Sequence, residues 1–201
     1  MKSESFKYSL LELGKYYCKL GFINNAIYYF TEAHKHNVVE AQMYLGYIYA
    51  ETDITKSIYY FTIAANNGSD TSQYSLGVLY FNSKKVPQDI DRSIFYLTLS
   101  AAQKNKKSLY LLGFIYRYYK SDPKKAFLYF NEAAKQKYAD AYYNLGILYY
   151  DINTPYYDIK KSIDCFIQGS EGYNHQSSYS LGIIYSENRV IQMDINKAIY
   201  Y

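Results

Sequence analysis

Tyr143–Tyr149 reads YNLGILY, a leucine–glycine pair between tyrosines. Near copies stand along the whole chain: LELGKYY from Leu11, MYLGYIY from Met43, YSLGVLY from Tyr74, YLLGFIY from Tyr110 and YSLGIIY from Tyr179. Their glycines, Gly14, Gly46, Gly77, Gly113, Gly146 and Gly182, are 32, 31, 36, 33 and 36 residues apart. A second motif follows each: AIYYF from Ala26, SIYYF from Ser57, SIFYL from Ser93, AFLYF from Ala126, SIDCF from Ser162 and AIYY from Ala198. Two motifs alternating six times at this period define an array of helix pairs.

Both motifs carry helical spacing. In the first, a small residue lies five before each glycine (Ser9, Ala41, Ser72, Ser108, Ala141, Ser177), leucine precedes it, and tyrosine follows three later (Tyr17, Tyr49, Tyr80, Tyr116, Tyr149, Tyr185). Positions four apart form one stripe down a helix. A mid-helix glycine costs about 1 kcal/mol against alanine, so six of them predict close approach of a neighbouring helix. Tyr149 is expected to wedge between its own helix and the next. In the second motif the small residue is followed by Phe or Leu at +4 and usually Ala at +7. Asp53, Asp89, Asp122, Asp158 and Asp194 each lie four before it, where a carboxylate can accept the orphan N–H groups of a helix start. Pro123 suits the first helical position, and Gly68 and Gly172 suit helix ends. In the first repeat Phe22 stands where the aspartate should be.

With 49% hydrophobic residues in 201, the chain has enough apolar surface for a continuous core. Its net charge of +4 is too mild to point to nucleic acid. Two cysteines, Cys18 and Cys165, make no disulfide framework. The N-terminus lacks the apolar core of a signal peptide, and the longest apolar run, near Leu109–Tyr116, is far short of a membrane span. A soluble, cytoplasmic protein is expected.

At these residues the chain resembles the Sel-1-like repeat family, a branch of the tetratricopeptide-like helical repeats. The family pattern runs A-x-Y-x-L-G-x-x-Y, then V-P-x-D-x-x-K-A in the connector, then Y-[FY]-x-x-A-A-x-x-G. The third repeat, SQYSLGVLYFNSKKVPQDIDRSIFYL from Ser72, matches it best, with Val86, Pro87, Gln88 and Asp89 in the connector. The connector glycines of the family are missing; Ser83 and Lys85 stand in that region. The resemblance implies an all-α fold, a right-handed α/α superhelical solenoid of about six helix-pair repeats. Its expected limits are 5–37, 38–68, 69–104, 105–137, 138–172 and 173–201 within one array. The last repeat stops three residues after Ala198, so a longer array is expected, with Ile199, Tyr200 and Tyr201 otherwise left at a raw edge.

Catalytic chemistry is not legible. His34 and His36 are two apart on a helix and do not face each other, and read as a solvated helix end. His175 reads as polar surface in a loop. Cys165 fills the +3 slot that other repeats give to tyrosine and reads as a small buried thiol; Cys18 is expected towards the groove. The five aspartates recur once per repeat and cannot pair as catalytic acids. No phosphate-binding loop or catalytic triad is present. The expectation is a non-enzymatic chain with no catalytic, cofactor or metal residues.

The expected function is a protein-interaction scaffold or adaptor with a protein or peptide partner in its concave groove, and no membrane or small-molecule partner. Single-stranded RNA binding by helical repeats is the second reading, though the drifting repeat length spoils a one-base-per-repeat register. A docking arm of a larger signalling protein is a third. Residues 103–125 carry Lys104, Lys106, Lys107, Arg117, Lys120, Lys124 and Lys125 against Asp122, a net +6. An acidic or phosphorylated partner fits that segment; solvated loop lysines are the plainer account. Relative to each glycine, positions −3, +1 and +4 share the face opposite the inward stripe. The recurring −3 tyrosines are assigned to inter-repeat packing. The varying +1 and +4 positions give the candidate groove residues Tyr47, Phe114, Arg117 and Tyr150.

Overall fold

In the computed structural model, which describes residues 4–187, every regular element is an α-helix. The helices pair as the motifs demand: α1 (Glu4–Lys19) with α2 (Ile23–His34), α3 (Val39–Tyr49) with α4 (Ile54–Asn66), and α5 (Asp70–Asn82) with α6 (Ile90–Ala102). Then α7 (Lys106–Tyr118) pairs with α8 (Pro123–Lys135) and α9 (Ala139–Tyr150) with α10 (Ile159–Glu171), followed by α11 (His175–Glu187). The chain divides between Asn105 and Lys106 into two compact units. In each, every helix packs on the next, most extensively within a pair. The expected cap at Asp194 and the motif from Ala198 lie outside the described residues.

The glycines explain the pairing. A Cβ placed on Gly46, Gly77, Gly113 or Gly146 would stand 2.5–2.6 Å from Phe61, Leu97, Phe130 or Phe166, the +4 residue of the paired helix; Gly14 faces Phe30 in the same way. No side chain fits there, so the bare backbone of each first helix is the seat for one large apolar side chain. Those side chains are almost wholly buried. Where the small residue of the second helix is serine, its hydroxyl donates to the same glycine's carbonyl: Ser57 to Gly46 at 2.8 Å, Ser93 to Gly77 at 2.7 Å and Ser162 to Gly146 at 2.8 Å. The leucine before the glycine, buried in α3, α5, α7, α9 and α11, completes the core; in α1 the equivalent Leu13 is exposed.

Asp53, Asp89, Asp122 and Asp158 cap α4, α6, α8 and α10, each accepting a backbone N–H two or three residues on. Phe22 makes no such bond at the start of α2. Helix ends differ from expectation. Gly68 is left-handed, with φ 88°. Gly172, however, keeps φ −84°, and its missing side chain is needed because a Cβ would meet that of Ala139 at 2.7 Å. The left-handed residue there is Tyr173, and Asn37, Lys104 and Lys137 take the same place in other repeats. His175 opens α11 rather than lying in a loop.

A non-glycine residue in the left-handed region is strained by about 1–2 kcal/mol. Lys137→Gly is therefore expected to stabilise the protein by about 0.5–1 kcal/mol after the chain-entropy loss of glycine. Gly68→Ala is expected to destabilise it by about 1 kcal/mol. Urea unfolding of both variants checks the two signs.

Candidate functional site

The side chains on the helix pairs separate into three sets: those that close each pair, those that seal one pair to the next, and those left facing solvent. The tyrosine three after each glycine belongs to the first set. Tyr17 stacks on Tyr29, Tyr49 on Tyr60, Tyr80 on Tyr96 and Tyr116 on Tyr129, with ring centroids 5.3–5.9 Å apart. A cation from the first turn of the second helix lies over the same ring: Lys56 over Tyr49, Arg92 over Tyr80, Lys125 over Tyr116 and Lys161 over Tyr149. Each of these cations also pairs with the capping aspartate of its own helix. Cap, cation and tyrosine stack thus form one device, complete in three repeats; the fifth keeps the cap and the cation without a second tyrosine. The first repeat lacks both cap and cation, and Phe22 meets Tyr17 edge-on instead.

The fifth repeat changes the stack. Cys165 replaces the second tyrosine, and Tyr149 packs edge-on against Phe127 of the preceding helix, which also stacks on Tyr156. Tyr149 therefore has Phe127 of the preceding second helix on one side and Lys161 of the next helix, α10, over its ring. Burial pushes the Cys165 thiol up to about 12, with Asp164 adding to the effect, so at neutral pH it is an unreactive thiol. Cys18, at the +4 position of α1, is partly buried against the first core cluster.

Between successive pairs runs a polar seam that the periodicity did not show. Buried Gln42 bonds His34 at 3.2 Å and accepts from Asn67 at 3.2 Å. Buried Gln73 donates to the Ala65 carbonyl at 3.0 Å and accepts from Gln103 at 2.9 Å. Asn174 donates to Asp140 at 2.7 Å. His34 thus serves this seam and is not merely a solvated helix end; His36 meets Phe6 edge-on. The −3 tyrosines serve both kinds of contact, Tyr74 facing Tyr47 of the preceding repeat and Tyr110 reaching Asn144 of the next. Tyr110 and Tyr143 lie against Phe130 and Phe166 of their own pairs, Tyr110 also reaching Tyr138, while Tyr179 is exposed.

The candidate groove residues have distinct settings. Tyr47 is partly exposed, yet its ring meets Phe61 edge-on at 5.0 Å and its hydroxyl bonds that of Ser75 at 3.1 Å. Phe114 and Arg117, both half-buried on α7, meet at Tyr118: the Phe114 ring lies 4.7 Å and the guanidinium 5.3 Å from its centroid. Arg117 Nη1 is buried and has no hydrogen-bond partner. Tyr150, about half exposed, lines a solvent-open apolar pocket of about 180 Å³ with Ile147, Phe166, Ser180, Ile183 and Ile184. Exposed apolar side chains also stand two after the small residue of the second helix, Tyr28, Tyr59 and Phe95 in the first unit and Leu128 in the second. Among the described residues no three His, Cys, Asp or Glu side chains are placed to hold a metal ion, and no helix is long and apolar enough to cross a membrane.

A fold of helix pairs in which a glycine of one helix seats an aromatic of the other defines an α/α repeat protein. The sequence profile of the Sel1 repeat matches residues 39–69, 71–105, 106–138, 139–174 and 175–201, so the chain belongs to the Sel1 repeat family. The helix pair of α1 and α2 lies before the matched span and keeps the same Gly14–Phe30 contact. Among solved structures, a Sel1 repeat protein from Oxalobacter formigenes is similar over 97% of this chain and 85% of its own, with a TM-score of 0.82 at 22% identity. The protective antigen c5321 of uropathogenic Escherichia coli, which displays an SLR fold, is similar over 98% of this chain and 53% of its own (TM-score 0.56, 20% identity). The immunity protein PA5088 from Pseudomonas aeruginosa is similar over 89% and 70% (TM-score 0.57, 18% identity). No curated protein matches this chain. Sel1 repeats are a non-enzymatic class of protein-interaction scaffold.

The capping device gives a pH dependence. Backbone N–H donation, chiefly from Lys161, holds the Asp158 carboxyl below the usual carboxylate range, and Lys56 does the same for Asp53. A depressed native value means that the stabilisation is present at neutral pH and is lost as pH falls through the ordinary carboxylate range to below that value. Asp158→Asn keeps a capping oxygen but removes the charge. Its Tm is expected to fall less than that of wild type between about pH 5 and pH 3; parallel curves would contradict the assignment.

Proposed function

We propose that this protein is a non-enzymatic, cytoplasmic adaptor that takes a segment of a partner protein along the face carrying the +1 and +4 residues of its first helices. The observation that carries this reading is the unsatisfied chemistry on that face: an apolar pocket open to solvent beside Tyr150, and on α7 a buried guanidinium nitrogen without a partner. A buried donor left unpaired costs about 1–3 kcal/mol, more when charged; Nη1 is closed to solvent as it stands, so a partner's carboxylate or phosphate would offset that cost by drawing the Arg117 side chain outward. Aromatic side chains and arginine are the residue types that anchor interfaces. Both cysteines are free, in keeping with a reducing compartment.

RNA is the weaker alternative. Base stacking needs free aromatic faces, whereas Tyr49, Tyr80 and Tyr116 are each engaged by a second tyrosine and by a cation. In the segment 103–125, Lys106 lies over Tyr138 and Lys125 over Tyr116, so two of its positive charges have roles within the fold.

Affinity capture with wild type, Phe114→Ala, Arg117→Ala and Tyr150→Ala, each first checked for an unchanged Tm, tests the reading. Loss of a central anchor is expected to weaken a partner by 2 kcal/mol or more, roughly thirtyfold. Retention of every wild-type partner by all three stable variants would place the binding surface elsewhere.

A further inference from the structure

The chain shows, within itself, what fills the pocket beside Tyr150. Two interfaces between successive pairs can be compared position by position, one in each compact unit. Between the second and third repeats, Tyr47 follows Gly46 and lays its ring edge-on against Phe61. Its hydroxyl meets that of Ser75, which in turn donates to the Thr71 carbonyl at 2.9 Å. Between the fifth and sixth repeats both partners of Tyr47 and the two residues after the glycine recur in sequence. Phe166 stands for Phe61, Ile183 and Ile184 for Val78 and Leu79, and Ser180 for Ser75. Ser180 donates to the Gln176 carbonyl, also at 2.9 Å, which leaves its oxygen able to accept.

One residue differs decisively. The position of Tyr47 is Ile147, a side chain too short to reach the serine, and Tyr150 at the rim replaces the small Ala50. The result is the pocket of about 180 Å³ lined by Ile147, Tyr150, Phe166, Ser180, Ile183 and Ile184. A cavity of about 150 Å³ lined by aliphatic and aromatic groups takes up a benzene-sized ring. The walls are apolar except for Ser180 and the phenol of Tyr150, which is the lining a phenol ring with one hydroxyl requires.

We infer that this pocket is the receptor for a tyrosine side chain of the partner, its ring against Phe166 and its hydroxyl donating to Ser180 Oγ, as Tyr47 does internally against Phe61 and Ser75. The inference rests on the adaptor reading and narrows it. The partner segment carries an unmodified tyrosine, because Ser180 accepts a hydroxyl proton and, among the described residues, the pocket lining brings no cation to a phosphate.

Isoleucine δ1-methyl NMR of the full chain, titrated with N-acetyl-tyrosinamide, tests it. Saturable shifts are expected at Ile147, Ile183 and Ile184. N-acetyl-phenylalaninamide, which lacks the hydroxyl, is expected to bind about fivefold more weakly, and Ser180→Ala is expected to abolish that difference. Absence of saturable shifts at these methyls, or equal binding of the two amides to wild type, would overturn the inference. Ile147→Tyr supplies the ring from within; it is expected to raise Tm and to eliminate binding of the probe. A lowered Tm with the probe still bound would also overturn the assignment. The two readings fail separately. Partners kept by Ile147→Tyr but lost by Arg117→Ala would remove the tyrosine pocket and leave the adaptor standing. Probe binding together with no captured partner would remove the adaptor and leave the pocket.

Discussion

Every helix pair with both members described depends on one contact, a bare glycine backbone in the first helix with a phenylalanine or leucine of the second seated on it. The contact explains why glycine occurs in mid-helix despite its cost of about 1 kcal/mol against alanine. Burying a phenylalanine side chain contributes about 1.5–3 kcal/mol, so the exchange favours the pair. It also fixes the rotation of each helix about its axis. With Gly146 turned to Phe166, Leu145 lies in the core, Tyr149 faces Phe127 and Lys161, and Ile147 and Tyr150 line the outer pocket. The candidate binding face is therefore a geometric consequence of the glycine seat.

The chain's 30 tyrosines follow from the same geometry. The tyrosine three after the glycine stacks on its counterpart in the second helix, under a lysine or arginine held by the capping aspartate. Each exposed ion pair is worth little alone. Joined to a helix cap and an aromatic stack, the cation closes the end of the pair that lies furthest from the inter-repeat seam. The fifth repeat shows what happens when one member changes: Cys165 shortens the stack, and the ring of Tyr149 takes Phe127 as its neighbour instead.

The pairing of helices, the aspartate caps and the seat of each glycine were legible because each leaves a residue type at a fixed offset. Helix ends were less so. Gly68 announces a left-handed residue, but Lys104, Lys137 and Tyr173 adopt the same conformation with no compositional mark, since the bonds of the helix end impose it. The buried glutamines escaped notice because Gln42 and Gln73 look like surface residues until the preceding pair covers them. On the binding face, the sequence singled out Tyr47, Phe114, Arg117 and Tyr150 by their variability. It could not show that Tyr47 is tied to Ser75, nor that the space beside Tyr150 is open, because the latter depends on the length of Ile147 rather than on its apolar character.

The glycine seat is tested most directly by a double-mutant cycle on Gly113 and Phe130, whose ring would lie 2.6 Å from an added Cβ. In wild type, Gly113→Ala overfills a packed site and is expected to destabilise by about 1–3 kcal/mol. In the Phe130→Ala background, itself destabilised by about 3–5 kcal/mol, the seat is vacant. There Gly113→Ala should stabilise by up to about 1 kcal/mol, the ordinary helix preference of alanine. A change of sign between the two backgrounds, read from urea unfolding, is the predicted result. The same ΔΔG in both backgrounds, or stabilisation of wild type by Gly113→Ala, would contradict the account.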